Sequence, residues 1–232
     1  MPMKDVVMIR HAQSTWNAES RFTGWANPPL TELGINEAHR AANALTEAGM
    51  QFDCVFTSVL KRARQTADII VEDLGQTGVP IIEDWRLCER HYGALQGKNK
   101  IEMAKEVGED QVWRWRRGYE DTPPALDEND ERHPRFSPLF STLPKDQLPS
   151  VENLAATRAR AVASWDELIV PELSQGKRIL LSSHGNTLRA LIMHLSGMSP
   201  AEVEKFEIPT GTPIVYRFDE HNEPVSWQYL ES

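Results

Sequence analysis

Cysteine is nearly absent. The 232 residues hold only Cys54 and Cys88. They are far apart in sequence and stand in no metal-ligand spacing. That excludes a disulfide framework and reads as two reduced thiols in a cytoplasmic setting. Long apolar runs are missing as well, and none approaches the roughly 18 residues a membrane helix needs. An excess of positive charge is lacking: 25 basic against 34 acidic residues leave a net charge of −9. This argues against general nucleic-acid or membrane binding but leaves room for a local cationic pocket. Internal repeats are absent. The opening Met1-Pro2-Met3-Lys4-Asp5 runs straight into a strand, with no signal peptide ahead of it. What remains is a chain with 40% hydrophobic residues, enough for one α/β domain over 1–232.

The apolar residues fall into short runs that alternate with helical segments. Val6-Val7-Met8-Ile9 and Ile179-Leu180-Leu181-Ser182 read as buried parallel strands. Phe52–Thr57 and Val79–Ile82 read as two more. Thr31 is a helix N-cap, Ile35, Ala38, Ala42 and Leu45 form the stripe behind it, and Gly49 sits where a C′ glycine belongs. Further helices are expected over 60–74, 151–173 and 187–196, and a terminal hairpin over 214–218 and 225–229. The stretch 121–150 holds six of the fifteen prolines and few aliphatics. It reads as the irregular part of a lid-like insertion over about 100–150. The pattern predicts a three-layer α/β/α sandwich with a mainly parallel sheet.

Each of the first two runs ends on a histidine, Arg10-His11 and Ser183-His184. Ligands of open α/β sheets bind just beyond such carboxyl ends. Gly185 lets backbone N–H groups turn toward an anion where a helix begins. Arg62 lies near a third strand end, and Glu89 stands in a polar, aromatic loop. Imidazoles, arginines and a carboxylate so placed suggest a site that handles an anion. His39, His91, His133, His194 and His221 read as surface or packing residues, and Cys88 as a packing residue. No pair has zinc spacing, so no metal is expected. Trp113-Arg114-Trp115-Arg116-Arg117 reads as an amphipathic helix rather than a nucleic-acid stacking surface.

Taken with Arg21-Phe22-Thr23-Gly24-Trp25, Thr57-Ser58-Val59-Leu60-Lys61-Arg62-Ala63, Glu89-Arg90-His91-Tyr92-Gly93-Ala94-Leu95-Gln96-Gly97, Trp115-Arg116-Arg117-Gly118 and Ile208-Pro209-Thr210-Gly211, these residues resemble the histidine phosphatase superfamily. The resemblance runs from about Val6 to Leu230 and is closest to the cofactor-dependent phosphoglycerate mutases. It implies a phosphoglycerate mutase-like fold and interconversion of 3-phosphoglycerate and 2-phosphoglycerate, primed by 2,3-bisphosphoglycerate. Partners would be small phosphoglycerates, and the assembly a homo-oligomer, dimer or tetramer. His11 would be the nucleophile, since neutral imidazole is nucleophilic at pH 7. Arg10 and Arg62 would grip the phosphoryl oxygens. His184 would stabilise charge on the group in flight. Glu89 would be the general acid/base. Ser14, Asn17, Gly185 and Asn186 would add neutral donors. Thr23, Gly24, Tyr92, Lys100, Arg116 and Arg117 would form the second anion site.

Two features depart from the family pattern. Ala12-Gln13 stand where Gly-Glu is usual, which raises the question of backbone strain at Ala12 and places an amide donor, Gln13, near the phosphate. The chain stops at Ser232 without the lysine-bearing tail of many members, and more hydrolytic side activity is expected for that reason. A phosphatase or a bisphosphoglycerate synthase on the same scaffold is the alternative activity. A non-catalytic phosphometabolite-binding module is the alternative class.

Overall fold

The computed structural model describes residues 4–230. The readings made on Met1-Pro2-Met3 and on the chain end at Ser232 lie outside the described residues. Four strands, β1 (Lys4–Arg10), β2 (Cys54–Thr57), β3 (Ile81–Glu83) and β4 (Ile179–Ser183), run parallel in one sheet. β5 (Pro213–Phe218) joins β1 antiparallel, and β6 (Pro224–Tyr229) closes a hairpin on β5. The order is β3-β2-β4-β1-β5-β6.

Successive side chains of a strand point to opposite faces, and the core divides accordingly. Val6 and Met8 of β1 meet Ile179, Leu181, Ile214 and Tyr216 on one face. Val7 and Ile9 meet Val55, Leu180 and Val215 on the other. The short α1 (Thr15–Ala18) follows β1. The second face is covered by α2 (Glu32–Glu47) through Ala41, Ala42 and Leu45, and by α3 (Lys61–Asp73) through Ala67, Ile70 and Val71. Next come α4 (Lys100–Val107) and α5 (Glu109–Arg117), which stand apart from the sheet around Phe22, Tyr92 and Leu95. The first face is covered by α6 (Leu154–Ser164), α7 (Val170–Ser174) and α8 (Gly185–Ser196), with α9 (Pro200–Lys205) beyond. The three-layer α/β sandwich is the observed architecture.

Local chemistry explains the boundaries. The Thr31 hydroxyl accepts from the Gly34 amide at the start of α2, and Gly49, at φ +66°, follows its end. The single helix expected over 151–173 is interrupted. Asn153 caps a start at Leu154, and residues Trp165–Ile169 form a π-turn before α7. Pro171 is the cause, because it has no N–H to donate to the carbonyl four residues back and its ring crowds that carbonyl. α8 begins at Gly185, two residues before its expected start at 187.

The 121–150 stretch is irregular, with three one-turn 3₁₀ segments, yet it is anchored. Phe140 is buried against Trp25, ring centroids 4.5 Å apart, and Leu126 donates its amide to Ser150. Among the described residues no helix is long and apolar enough to cross a membrane.

Candidate active site

Sheet register brings the chemistry together. Arg10 pairs with Ser183 and Thr57 with Ser182, so the residues that follow, His11, His184 and Ser58, leave three adjacent strands at one end of the sheet. The two imidazoles lie 5.0 Å apart, centroid to centroid, and both are buried.

His11 Nδ1 lies 2.8 Å from the Ala12 carbonyl. A carbonyl only accepts, so Nδ1 carries the proton and Nε2 keeps its lone pair. Arg62 Nε donates to that Nε2 at 3.2 Å. Burial, then the charges of Arg62 and Arg10, push His11 well below the ordinary histidine value. The ring is neutral at pH 7, and its unprotonated Nε2, which accepts from Arg62 Nε, carries the lone pair that nucleophilic attack requires.

Arg62 is held by Gly24 O (2.9 Å) and Ala26 O (2.8 Å), and burial lowers it to about 10. Arg10 is held by Ile208 O at 2.8 Å. It lies across the start of α8, where a Cβ on Gly185 would come 3.3 Å from Arg10 Nε. Glycine there admits the guanidinium to the helix N-terminus. His184 Nε2 is 2.7 Å from Ser58 Oγ, which also accepts from the Leu60 amide. Burial first, then Arg62, pushes His184 well below its ordinary value. An anion between the two arginines would reverse the electrostatic part of that shift and favour imidazolium.

Glu89 presents its carboxylate to the same cleft. Oε1 accepts from the Arg90 amide (2.8 Å) and the Asn186 amide (3.1 Å), which fixes the group at the N-terminus of α8 and leaves Oε2 for proton exchange. The loop behind it is braced. Arg160 donates to the carbonyls of Arg86, Cys88 and Glu89 and pairs with Glu152, and Trp25 Nε1 donates to Glu89 O at 2.6 Å. Cys88 is a packing residue in this brace, its thiol raised to about 12 by burial.

The other side of the cleft is built by α4 and α5. Lys100, Arg116 and Arg117 line it with Thr23, Gly24, Tyr92, Asn17, Gly185 and Asn186. Burial, then Arg116 and Arg10, lowers Lys100 to about 8, so it remains mostly protonated at pH 7. Asn17 turns its carbonyl oxygen to the Ser14 amide and hydroxyl, which leaves its NH₂ for the cleft.

Three expectations are corrected. Ser14 does not line the cleft, because its hydroxyl is spent on capping α1. Gln13 does not line the cleft either: its side-chain Oε1 accepts from Thr31 Oγ1, and its backbone N–H donates to Glu37. Ala12 carries no strain, for it is not among the positive-φ residues, and its amide donates to Thr66 Oγ1.

Sequence reasoning missed Ser58 as the partner of His184, and Arg189. Arg189 lines the cleft at 6% exposure, donates to Asn186 Oδ1 at 2.9 Å, and makes no ion pair among the described residues. Burial, then Arg117, lowers it to about 9. Its spacing four residues after Gly185 on one helix face was the available signal. Arg10 Nε, His184 Nδ1 and Arg189 Nε are buried without a hydrogen-bond partner among the described residues. Unpartnered buried nitrogens beside so many cations fit a site for an anion. Among the described residues no three His, Cys, Asp or Glu side chains are grouped to hold a metal.

A family model described as the histidine phosphatase superfamily (branch 1) matches residues 6–144 and 125–229, and the chain belongs to that superfamily. Solved structures share the fold. The mycobacterial glucosyl-3-phosphoglycerate phosphatase complexed with VO3 is 23% identical, with 97% of this chain and 96% of that one covered and a TM-score of 0.71. The crystal structure of a putative alpha-ribazole-5′-P phosphatase from Escherichia coli is 24% identical over 100% and 97%, TM-score 0.69. Phosphoglycerate mutase from Bacillus anthracis is 19% identical over 96% and 91%, TM-score 0.69.

Proposed function

We propose that this chain is a phosphoglycerate mutase, interconverting 3-phosphoglycerate and 2-phosphoglycerate through phosphohistidine at His11. One observation carries the reading: a single cleft gathers two sets of cations around one carboxylate. Arg10 and Arg62 belong to the sheet ends beside the imidazoles. Lys100, Arg116 and Arg117 belong to α4 and α5. A ligand with one phosphate needs only the first set. Phosphoglycerate carries a carboxylate as well as a phosphate and uses both.

His11 Nε2 takes the phosphoryl group in line. Arg10, Arg62 and a protonated His184 offset charge on the oxygens, the dominant contribution in phosphoryl transfer. On loaded His11, Glu89 accepts the proton of the substrate's free hydroxyl as the phosphoryl group is given up, and returns a proton to the oxygen released when His11 takes the neighbouring phosphoryl group. Lys100, Arg116 and Arg117 hold the carboxylate while this happens. When bound, 2,3-bisphosphoglycerate supplies the phosphoryl group that loads His11, and Arg10, Arg62, Arg116, Arg117 and Arg189 are the residues that would hold it.

Hydrolysis is the second reading, favoured by the phosphatases among the structural neighbours. The free Oε2 of Glu89 is able to serve water as readily as a hydroxyl. Conversion of 3-phosphoglycerate is coupled to enolase after preincubation with a chelator, with and without 2,3-bisphosphoglycerate, while phosphate release is followed. Turnover that depends on the bisphosphate and releases little phosphate supports the mutase. Phosphate release without isomerisation replaces it with a phosphatase, and net conversion to bisphosphate with a synthase.

A further inference from the structure

One contact in the second cation set works against ligand binding. Arg117 Nη2 donates to both oxygens of Glu207, at 2.7 and 2.8 Å, and Nη1 donates to Phe206 O at 3.2 Å. A carboxylate of the chain thus holds one arm of the guanidinium fork that a ligand carboxylate or phosphate would use. Glu207 stands outside the cleft lining, and its side chain is 71% exposed.

We propose that Glu207 is an intrachain competitor for Arg117, a carboxylate the ligand's second anionic group must displace, so that it sets affinity according to ligand charge. The inference rests on the two-ended reading of the cleft.

Three observations support it. The backbone around Glu207 is fixed: Tyr229 Oη donates to Glu207 O at 2.6 Å, Arg10 Nη1 holds Ile208 O, and Gly211 donates its amide to Arg10 O. Release therefore needs only a side-chain rotation, and the exposed carboxylate has water to turn to. Glu207 also feels the cleft as a whole. Partial burial opposes its ionisation, yet Arg117, Arg189 and Arg10 outweigh burial and hold the carboxyl below its ordinary value. Finally, the six cations of the lining, Arg10, Arg62, Lys100, Arg116, Arg117 and Arg189, share the lining with one carboxylate, Glu89. Glu207 offsets part of their mutual repulsion from the rim and makes an incoming anion less rewarding by the same amount.

The test compares wild type with Glu207→Gln and Glu207→Ala by titration calorimetry. Inorganic phosphate is the one-ended probe and 2,3-bisphosphoglycerate the two-ended one. Glutamine keeps an acceptor for Arg117 and removes the charge. Both variants should bind the bisphosphate about three- to tenfold more tightly and phosphate within about twofold of wild type, the range expected of one partly exposed charge. In turnover the gain should fall on KM, with the rate of His11 phosphorylation unchanged. Unchanged bisphosphate affinity in both variants would overturn the proposal. So would weaker binding in Glu207→Ala restored by Glu207→Gln, which makes Glu207 a clamp for Arg117. If isomerisation is absent but the bisphosphate still binds more tightly to the variants, the mutase reading fails and the competitor stands.

Discussion

The two sides of the cleft are built differently. The side at the sheet ends is held by side-chain hydrogen bonds. His11, Arg62, His184 and Glu89 each hold at least one hydrogen bond to another residue, and His11 and His184 directly follow strands whose register is set by the sheet. The side on α4 and α5 is looser. Lys100 lies 5.8 Å over the Phe22 ring, and Arg117 is tied to an exposed carboxylate. The contrast separates reaction from recognition. Phosphoryl transfer requires fixed geometry, whereas holding a second anion requires charge that can be rearranged. The rigid side is built from the fold's framework, and the adjustable side from an excursion away from it.

Four changes break or sharpen this contrast. The largest effect is expected at the rigid side: His11→Ala removes the nucleophile, and both turnover and acid-labile phosphate labelling should vanish. Wild-type-like turnover in that variant would falsify the assignment. Next, Glu89→Gln should lower kcat by roughly 10²–10⁴-fold with KM little changed, the share of a general acid/base. A kcat within threefold of wild type removes Glu89 from proton transfer. Third, Lys100→Met with Arg116→Ala should lower kcat/KM for 3-phosphoglycerate by about 10²–10³-fold while hydrolysis of a one-ended phosphomonoester changes by less than about fivefold, because charge-assisted bonds to the second anion are lost. Equal losses on both substrates would erase the division between the two sides.

The smallest effect concerns acid. His11 and His184 sit well below the ordinary histidine value, and burial takes His91 to about 4. The unfolded chain therefore binds more protons than the folded one below about pH 6.5, and stability falls as pH drops. Each such histidine contributes a slope of up to about 1.4 kcal/mol per pH unit. Melting temperature should decline from pH 6.5 to 5, and inorganic phosphate should recover part of the loss by favouring protonated His184. A flat profile over that range contradicts the burial argument.

Much of the framework was legible because period-2 and period-3.6 patterns need no partner to be seen. α2 shows the helical period, while β1 and β4 were visible as short unbroken apolar runs bounded by polar residues. The irregular turn at Trp165–Ile169, ahead of Pro171, was not read from the sequence, because the apolar pattern continues across it. Glu89 was found by resemblance, and its bracing was not found at all. Arg160 lies 71 residues from the carbonyl of Glu89 that it holds, and no local pattern reports such a distance. Gln13 and Ser14 misled for the opposite reason. Their position beside His11 suggested the cleft, while the turn after β1 sends both side chains into caps. Ser58 and Arg189 became visible only when register and helix face placed them.

The bond from His11 Nδ1 to the Ala12 carbonyl has a consequence for product chemistry. It closes one of the two ring nitrogens to substitution, so a phosphoryl group accepted by this ring has a single regiochemistry. The adduct is the tele isomer, with phosphorus on the nitrogen remote from Cβ. A phosphorus or nitrogen resonance assigned to the pros isomer in the labelled protein would mean that the ring has turned over.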